Sequence, residues 1–346
     1  MQIACLPQAG AANPYQNLMR AGLADAGHQT HPGAAGNFFA LCRTVFPNRP
    51  GALHLDWPGS YYLRRNRLLC LLQAAQFWLD LQLATASGVP LVWTAHNLTE
   101  HDVPHPGIDR WAKRLLAAKA SRVRVFTDAQ RQEAAQKFGV SPDKIVAIPE
   151  GSYVGYYPEQ QTRLQARQLL HLPEQARVTL HFGNLRPYKG SAQLVRAFKA
   201  VAGPNDHLVL AGPAHTPAYV DDLRTAIAGD ARIHLHAGFV AEEQVQTFFR
   251  AADLAAFPFQ RIDNSGSVIL AMGFGLPCLA PAVGAVAGRL AAQPDLLFAP
   301  GQLEHRLGFA LAQPAHQLAA WGQANRTQVL AHRWADFAQV FTQLST

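Results

Sequence analysis

Short apolar runs alternate with longer amphipathic ones through almost all of this chain's 346 residues. In the first half the apolar runs are QIACL (2–6), ALHL (52–55), PLVWT (90–94), RVRVF (122–126) and KIVAI (144–148). Helical periodicity lies between them, near 14–27, 63–87, 108–120 and 128–138. The second half repeats the scheme with VTLHF (178–182), HLVLA (207–211), RIHLH (232–236), LAAF (254–257) and PCLA (277–280). Its helical stretches fall near 191–202, 217–228, 242–252 and 265–274. Such runs suit strands buried on both faces. Strands alternating with helices predict parallel sheets covered by helices on both sides. Two series of about 150 residues each predict an α/β chain of two Rossmann-like domains.

The join is expected near 149–175, where PEGSYVGYYPEQQ breaks both periodicities with Gly, Pro and Tyr. We therefore predict domains over residues 1–155 and 156–325, and a helical, amphipathic tail over 326–346. Cys5, Cys42, Cys70 and Cys278 stand at no metal-ligand or C-x-x-C spacing and read as buried hydrophobes. The N-terminus reads as a first strand, without the cationic and apolar regions of a signal peptide. No uninterrupted apolar stretch reaches about 18 residues, so no membrane span is expected. The net charge is +7, with 15 Lys/Arg against 10 Asp/Glu in residues 1–150 and 15 against 13 afterwards. That balance suits phosphorylated ligands or an anionic membrane surface. No basic run exceeds two residues, which argues against nucleic acid.

In sheets of this kind ligands bind at loops that follow strand C-terminal ends. FGNLRPYKG (182–190) is one such loop, offering Arg186 and Lys189 at the entrance to a helix, with Gly183 and Asn184 before them. The order Lys189-Gly190-Ser191 is not that of a Walker loop, and no complete dinucleotide fingerprint is present. Two cations beside a helix N-terminus suit a diphosphate, although a lone Lys189 reads equally as surface charge on a turn. The second loop, FPFQRIDNSGS (257–267), places Arg261, Asp263 and Asn264 before Ser265, Gly266 and Ser267, then opens a helix. Asn264 or Ser265 is a natural N-cap, and Gly266 admits a close ligand. The pair of loops is more specific than either alone.

FGNLRPYKG, HAGFV–EEQVQTFFRAAD (236–253) and NSGSVILAMGFGLPCLAP together resemble the donor half of GT-B glycosyltransferases, in particular glycosyltransferase family 4. NPYQNLMRAGLADAGHQ (13–29) and LVWTAHNLTEHD resemble that family's acceptor half. The resemblance spans roughly residues 1–330. It implies two domains facing across a cleft, a C-terminal helix crossing back to the first, and sugar transfer from a nucleotide-diphosphate sugar to a hydroxyl acceptor. It also implies that Phe239 and Val240 lie where the nucleotide base is held, although core packing is the plainer reading of both. No Asp-x-Asp metal motif appears, so no metal or cofactor is expected. Arg186, Lys189 and the N–H groups near Ser265–Ser267 would then stabilise the leaving diphosphate. Two departures stand out. Asn184 occupies the position of a usual arginine, with Arg186 two residues on. Ile262 and Leu270 stand where the family carries a Glu-x7-Glu pair, which leaves part of the sugar contact to Asp263 and Asn264.

On the acceptor side His96, Asn97, Glu100, His101 and Asp102 crowd one loop. A histidine or carboxylate here, His96 or Glu100 first, would take the acceptor proton. The resemblance implies that in a retaining enzyme His96 contacts the donor sugar instead, and that an inverting one would use Glu100 or Asp102 as base. Loop polarity and helix capping are the plain alternative. Asp56, in HLDWPG, ends another strand. YYLRRNRLLCLLQAAQFWLDLQL (61–83) and DRWAKRLLAAK (109–119) combine arginines with apolar faces. Each fits either a buried helix or one lying on an anionic membrane. The expectation is a glycosyltransferase working on a glycan or lipid-linked acceptor, cytoplasmic or peripheral on the inner membrane face. Its rivals are a non-catalytic nucleotide-sugar-binding protein and a GT-B nucleotide-sugar epimerase.

Overall fold

The computed structural model describes residues 1–8, 14–98, 103–342 and 344. Each of the ten predicted apolar runs forms a strand, and two further strands join them. The first sheet contains β1 (Gln2–Leu6), β2 (Gln29–Pro32), β3 (Ala52–Leu55), β4 (Leu91–Thr94), β5 (Arg122–Val125) and β6 (Ile145–Ala147). The second contains β7 (Arg177–Phe182), β8 (Asp206–Ala211), β9 (Ile233–His236), β10 (Leu254–Ala256), β11 (Cys278–Pro281) and β12 (Leu297–Phe298). Both are six-stranded and every recorded pairing is parallel. The orders are β2-β1-β3-β4-β5-β6 and β12-β11-β10-β7-β8-β9. Each order reverses direction once, between β1 and β3 and between β7 and β10, and the loops above those strands are where such sheets hold ligands.

The chain divides into two compact units, Met1–Gly151 with His332–Thr346, and Ser152–Ala331. Unit 1 buries Leu55, Trp93, Val125 and Phe77 in its core, and unit 2 buries Leu194, Phe198, Leu208 and Leu254. The four cysteines are buried and unpaired. The final described segment, the 3-10 helix Trp334–Phe341, packs on the first helix of unit 1, Pro14–Asp25. Contact is close enough that a Cβ on Gly22 would lie 2.4 Å from the Trp334 carbonyl carbon.

Several elements had no clear local signal. β2 is a polar strand at the edge of its sheet, only half-buried, so it lacks the apolar run that marks the others. The helix Ala40–Asn48 begins at Phe39 in the left-handed region. Its N-terminal N–H groups, of Leu41 and Cys42, are capped from far along the chain by the Asp80 carboxylate at 2.9 and 2.8 Å. β12 has only two residues. The helical stretch near 63–87 forms the helix Arg67–Ala86, capped by Asn66, and a short helix, Gly59–Tyr62, precedes it. Arg67–Ala86 is long and apolar enough, at a mean hydropathy of 1.2, to cross a membrane by length and composition. It reaches that average with glutamines and one aspartate interspersed, which is why no uninterrupted run marked it.

Candidate functional site

In unit 2 the two predicted loops meet above the β7/β10 reversal. The loop after β7 is tied on one side to the loop after β8. Gly183 N–H donates to Ala211 O (2.9 Å), Leu185 N–H to Pro213 O (2.8 Å) and His215 N–H to Leu185 O (2.9 Å). On its other side Gln260 N–H donates to Tyr188 O (2.9 Å). Gly190 sits at φ +77°, and a Cβ there would fall 2.1 Å from Pro258 O, so only glycine lets the two loops touch. Gly183, at φ +124°, marks the centre of the site. A Cβ on it would lie 2.6 Å from Ser267 Oγ and 3.3 Å from Lys189 Nζ. Backbone, hydroxyl and ammonium therefore converge on one point.

Lys189 lies over the Phe259 ring, 5.7 Å from its centroid. Lys189 N–H donates to Arg186 O at 3.0 Å, but among the described residues neither side chain has a hydrogen-bond or ion-pair partner. Burial, and then the Arg186 guanidinium, pull the Lys189 ammonium down to about 8. A cation desolvated beside a second cation, with no counter-charge among the described residues, makes a candidate anion site. The helix Gly266–Gly273 completes it. Ser265 is its N-cap, accepting from Val268 N–H. The N–H groups of Gly266 and Ser267 find no acceptor among the described residues. Ala285 N–H holds the preceding loop through Asp263 O at 2.8 Å. Asn184 and Arg261 are exposed, and Arg186, Asp263 and Asn264 are half-buried. Leu270 is buried and Ile262 is half-buried, and both side chains are apolar.

Phe239 does not pack into the core. It is 72% exposed, in the loop after β9, with Val240 half-buried beside it. β9 lies two strands from β7, roughly 10 Å across the sheet, which suits a base whose diphosphate sits over β7.

Sequence reasoning missed the support beneath this loop. His181, in β7, donates from Nδ1 to Ala256 O at 2.8 Å, because a carbonyl can only accept. Its Nε2 therefore accepts from the Ser191 hydroxyl at 3.1 Å, at the first turn of the helix Ser191–Val201. The relay ties β7, β10 and the loop's helix together. Burial holds His181 down at about 4 and neutral, with Lys189 a smaller cause in the same direction.

Unit 1 builds a second polar centre at the ends of β3 and β4. Asp56 is fully buried. Its Oδ1 accepts from His96 Nε2 at 2.9 Å and its Oδ2 from Gln16 Nε2 at 3.2 Å. Burial pushes the Asp56 carboxyl upward, but His54, His96 and Gln16 together outweigh it and hold it below the usual carboxylate range. Nε2 carries the proton given to Asp56, which leaves Nδ1 with no partner among the described residues. The ring is 12% exposed. Trp57 stacks on it at 4.6 Å and Tyr15 meets it edge-on at 4.9 Å, which fixes its plane. His54 lies deeper, bonded to Thr94 Oγ1 at 2.9 Å and lowered to about 4, chiefly by burial. The arrangement is a histidine oriented by a buried carboxylate. Proximity of β3 and β4 could have suggested the pair; the sequence alone did not pair Asp56 with His96. Glu100, His101 and Asp102 lie outside the described residues. Among the described residues no three His, Cys, Asp or Glu side chains form a metal-binding group.

The two buried histidines imply an acid weakness. Their folded values lie near 4 against an unfolded value near 6.5. The unfolded chain therefore binds more protons between those limits, and stability falls as pH drops from about 6.5 to about 4. The combined loss should be on the order of a few kcal/mol. Denaturant titration at several pH values checks it. His181→Gln, which cannot titrate, should flatten the slope in that window.

Two family models match the chain, "Glycosyltransferase Family 4" over residues 19–152 and "Glycosyl transferases group 1" over residues 176–313. A GDP-mannose:glycolipid 4-beta-D-mannosyltransferase from Xanthomonas campestris pv. campestris is 30% identical over 276 residues, 78% of this chain and 70% of that protein. A D-inositol 3-phosphate glycosyltransferase from Kineococcus radiotolerans is 29% identical over 324 residues, 85% of this chain and 71% of that protein. Among solved structures, sucrose-phosphate synthase from Thermosynechococcus elongatus shares the fold at TM-score 0.75 and 20% identity, covering 99% of this chain and 98% of the other. HepE of Anabaena, in complex with UDP-glucose, does so at TM-score 0.72 and 19% identity, covering 100% and 98%.

Proposed function

This chain belongs to glycosyltransferase family 4, with the GT-B fold and a nucleotide-sugar donor, and from that premise we propose how its two centres divide the reaction. The observation that carries the proposal is the convergence of Gly183, Ser267 and the uncompensated Lys189 over the β7/β10 reversal. The leaving nucleoside diphosphate gains negative charge as its bond to the sugar breaks. Lys189, Arg186 and the N–H groups of Gly266 and Ser267 stabilise that charge, already in place before the reaction. The protein thereby supplies the positive charge at the leaving group. Phe239 offers its exposed ring to the base, and Asp263, Asn264 and Asn184 contact the sugar and phosphates.

His96 Nδ1 takes the proton of the acceptor hydroxyl, and Asp56 holds the ring in that tautomer and balances the imidazolium that forms. Direct attack assisted by a base inverts the anomeric centre. The Xanthomonas relative is named for a β-linked product made from GDP-mannose on a glycolipid. We take GDP-mannose as the first donor to test, and a lipid-linked glycan on the cytoplasmic face of a membrane as the acceptor class. Incubation with a panel of GDP- and UDP-sugars should release diphosphate from one of them, slowly by water alone and faster with a lipid-linked acceptor. If no donor is consumed or protects the protein against heat, the site assignment fails.

Lys189 adds a pH signature. Free, it is half-deprotonated near pH 8; a bound diphosphate raises its pKa again. Binding at pH 8 should therefore take up roughly half a proton, and affinity should fall about tenfold per pH unit above that. Calorimetry in buffers of different ionisation enthalpy measures the uptake. Lys189→Arg should abolish it.

A further inference from the structure

We infer that unit 1 docks on an anionic lipid bilayer through the outward face of the helix Arg67–Ala86. The inner face of this helix, Cys70, Ala74, Phe77, Leu81 and Ala84, is buried at alternating spacings of three and four. Its opposite face should then be polar. Instead it exposes Leu68, Leu71, Leu72, Trp78, Leu79 and Leu83, with Leu68 at 65% and Leu72 at 58%. Single exposed leucines are ordinary; several gathered on one helix mark an interface.

Charge identifies the partner. The helix packs between Ala40–Asn48 and Pro106–Lys119, which expose Phe46 and Trp111 alongside it. Across residues 26–98 and 103–127 the carboxylates are Asp56, Asp80 and Asp109, and all three are buried. The exposed cations of these helices and their approaches are Arg43, Arg65, Arg67, Arg110, Arg114 and Lys119. None of them pairs with a carboxylate among the described residues. An apolar stripe rimmed by cations, with no exposed carboxylate among the described residues of 26–127, complements acyl chains beneath anionic headgroups. A second copy of this chain would bring the same cations against it and be repelled. A membrane-spanning role is opposed by the inner face, which is committed to the core, and by Asp80, which caps the neighbouring helix. The helix lies in the interface plane instead. This deepens the proposed lipid-linked acceptor, yet it rests on the surface alone and is tested without turnover.

Sedimentation of the full chain with vesicles tests it. The protein should pellet with phosphatidylethanolamine vesicles containing about a third phosphatidylglycerol, weakly with phosphatidylcholine vesicles, and less as salt rises. Leu72→Gln/Leu79→Gln should weaken binding by about ten- to a hundredfold. Arg65→Gln/Arg67→Gln should weaken it several-fold on the anionic vesicles alone. Both variants should keep the wild-type thermal shift with nucleoside diphosphate, which shows that unit 2 still folds and binds. Equal binding to both vesicles, or undiminished binding by the leucine variant, overturns the inference. A dimer that the leucine variant dissolves, with no vesicle binding, assigns the face to a second copy and also overturns it.

Discussion

Lys189→Met should lower kcat/KM for the true donor by about a hundred- to a thousandfold while raising the thermal midpoint of the unliganded protein. The first effect follows from removing a fixed cation aimed at the leaving diphosphate, worth about 3–4 kcal/mol in comparable sites. The second follows from the cost of the site. The ammonium is held at about 8 by burial and by Arg186, so keeping it charged at neutral pH opposes folding. That cost is on the order of 2 kcal/mol and is relieved as pH rises through 8. A methionine of similar length removes it and can still lie against Phe259. Opposite movements of activity and stability are what a functional cation predicts; a structural lysine would lose both. Arg186→Met should cost activity as well, since Arg186 is the second cation beside that site. Should the Lys189 variant turn over within a few-fold of wild type, the clamp lies elsewhere.

How much of this was legible in the chain differs between the two units. The donor loops could be found because the features that make them are local. Gly183, Gly190, Lys189 and the Ser265 cap fall within single loops, and strand alternation alone puts those loops at strand C-terminal ends. That β7 and β10 are neighbours is a fact of strand order, which no run of residues states. The support under the loop was invisible for a similar reason. His181 joins a carbonyl 75 residues away, and in sequence it is one polar residue inside an apolar strand. The helix Ala40–Asn48 escaped because its cap, Asp80, comes from another helix. Phe239 could be placed by resemblance, but only its exposure separates a base platform from a core side chain. In unit 1, the polarity of the 96–102 loop drew attention to Glu100, whereas the carboxylate oriented on His96 is Asp56, 40 residues earlier.

Replacing that carboxylate separates the two roles assigned to the pair. His96→Ala should lower kcat by about 10²–10⁴, the range for losing a positioned base, with little change in donor binding. Added imidazole should restore part of the rate. Asp56→Asn is the sharper test. An asparagine amide there would donate to Nε2 and force the ring proton onto Nδ1, the nitrogen that must be empty to accept the acceptor's proton. The volume is unchanged and Gln16 can still find the amide oxygen, so the loss, again about a hundredfold or more in kcat, should come without a comparable loss of fold. Affinity for the nucleoside diphosphate on unit 2 should stay at the wild-type value, which a general collapse would not allow. Proton NMR of the first-formed product decides the chemistry that the pair implies. An inverted anomeric centre fits a base-assisted single displacement. A retained one would show that His96 does not deprotonate the nucleophile, whatever the rates of its variants.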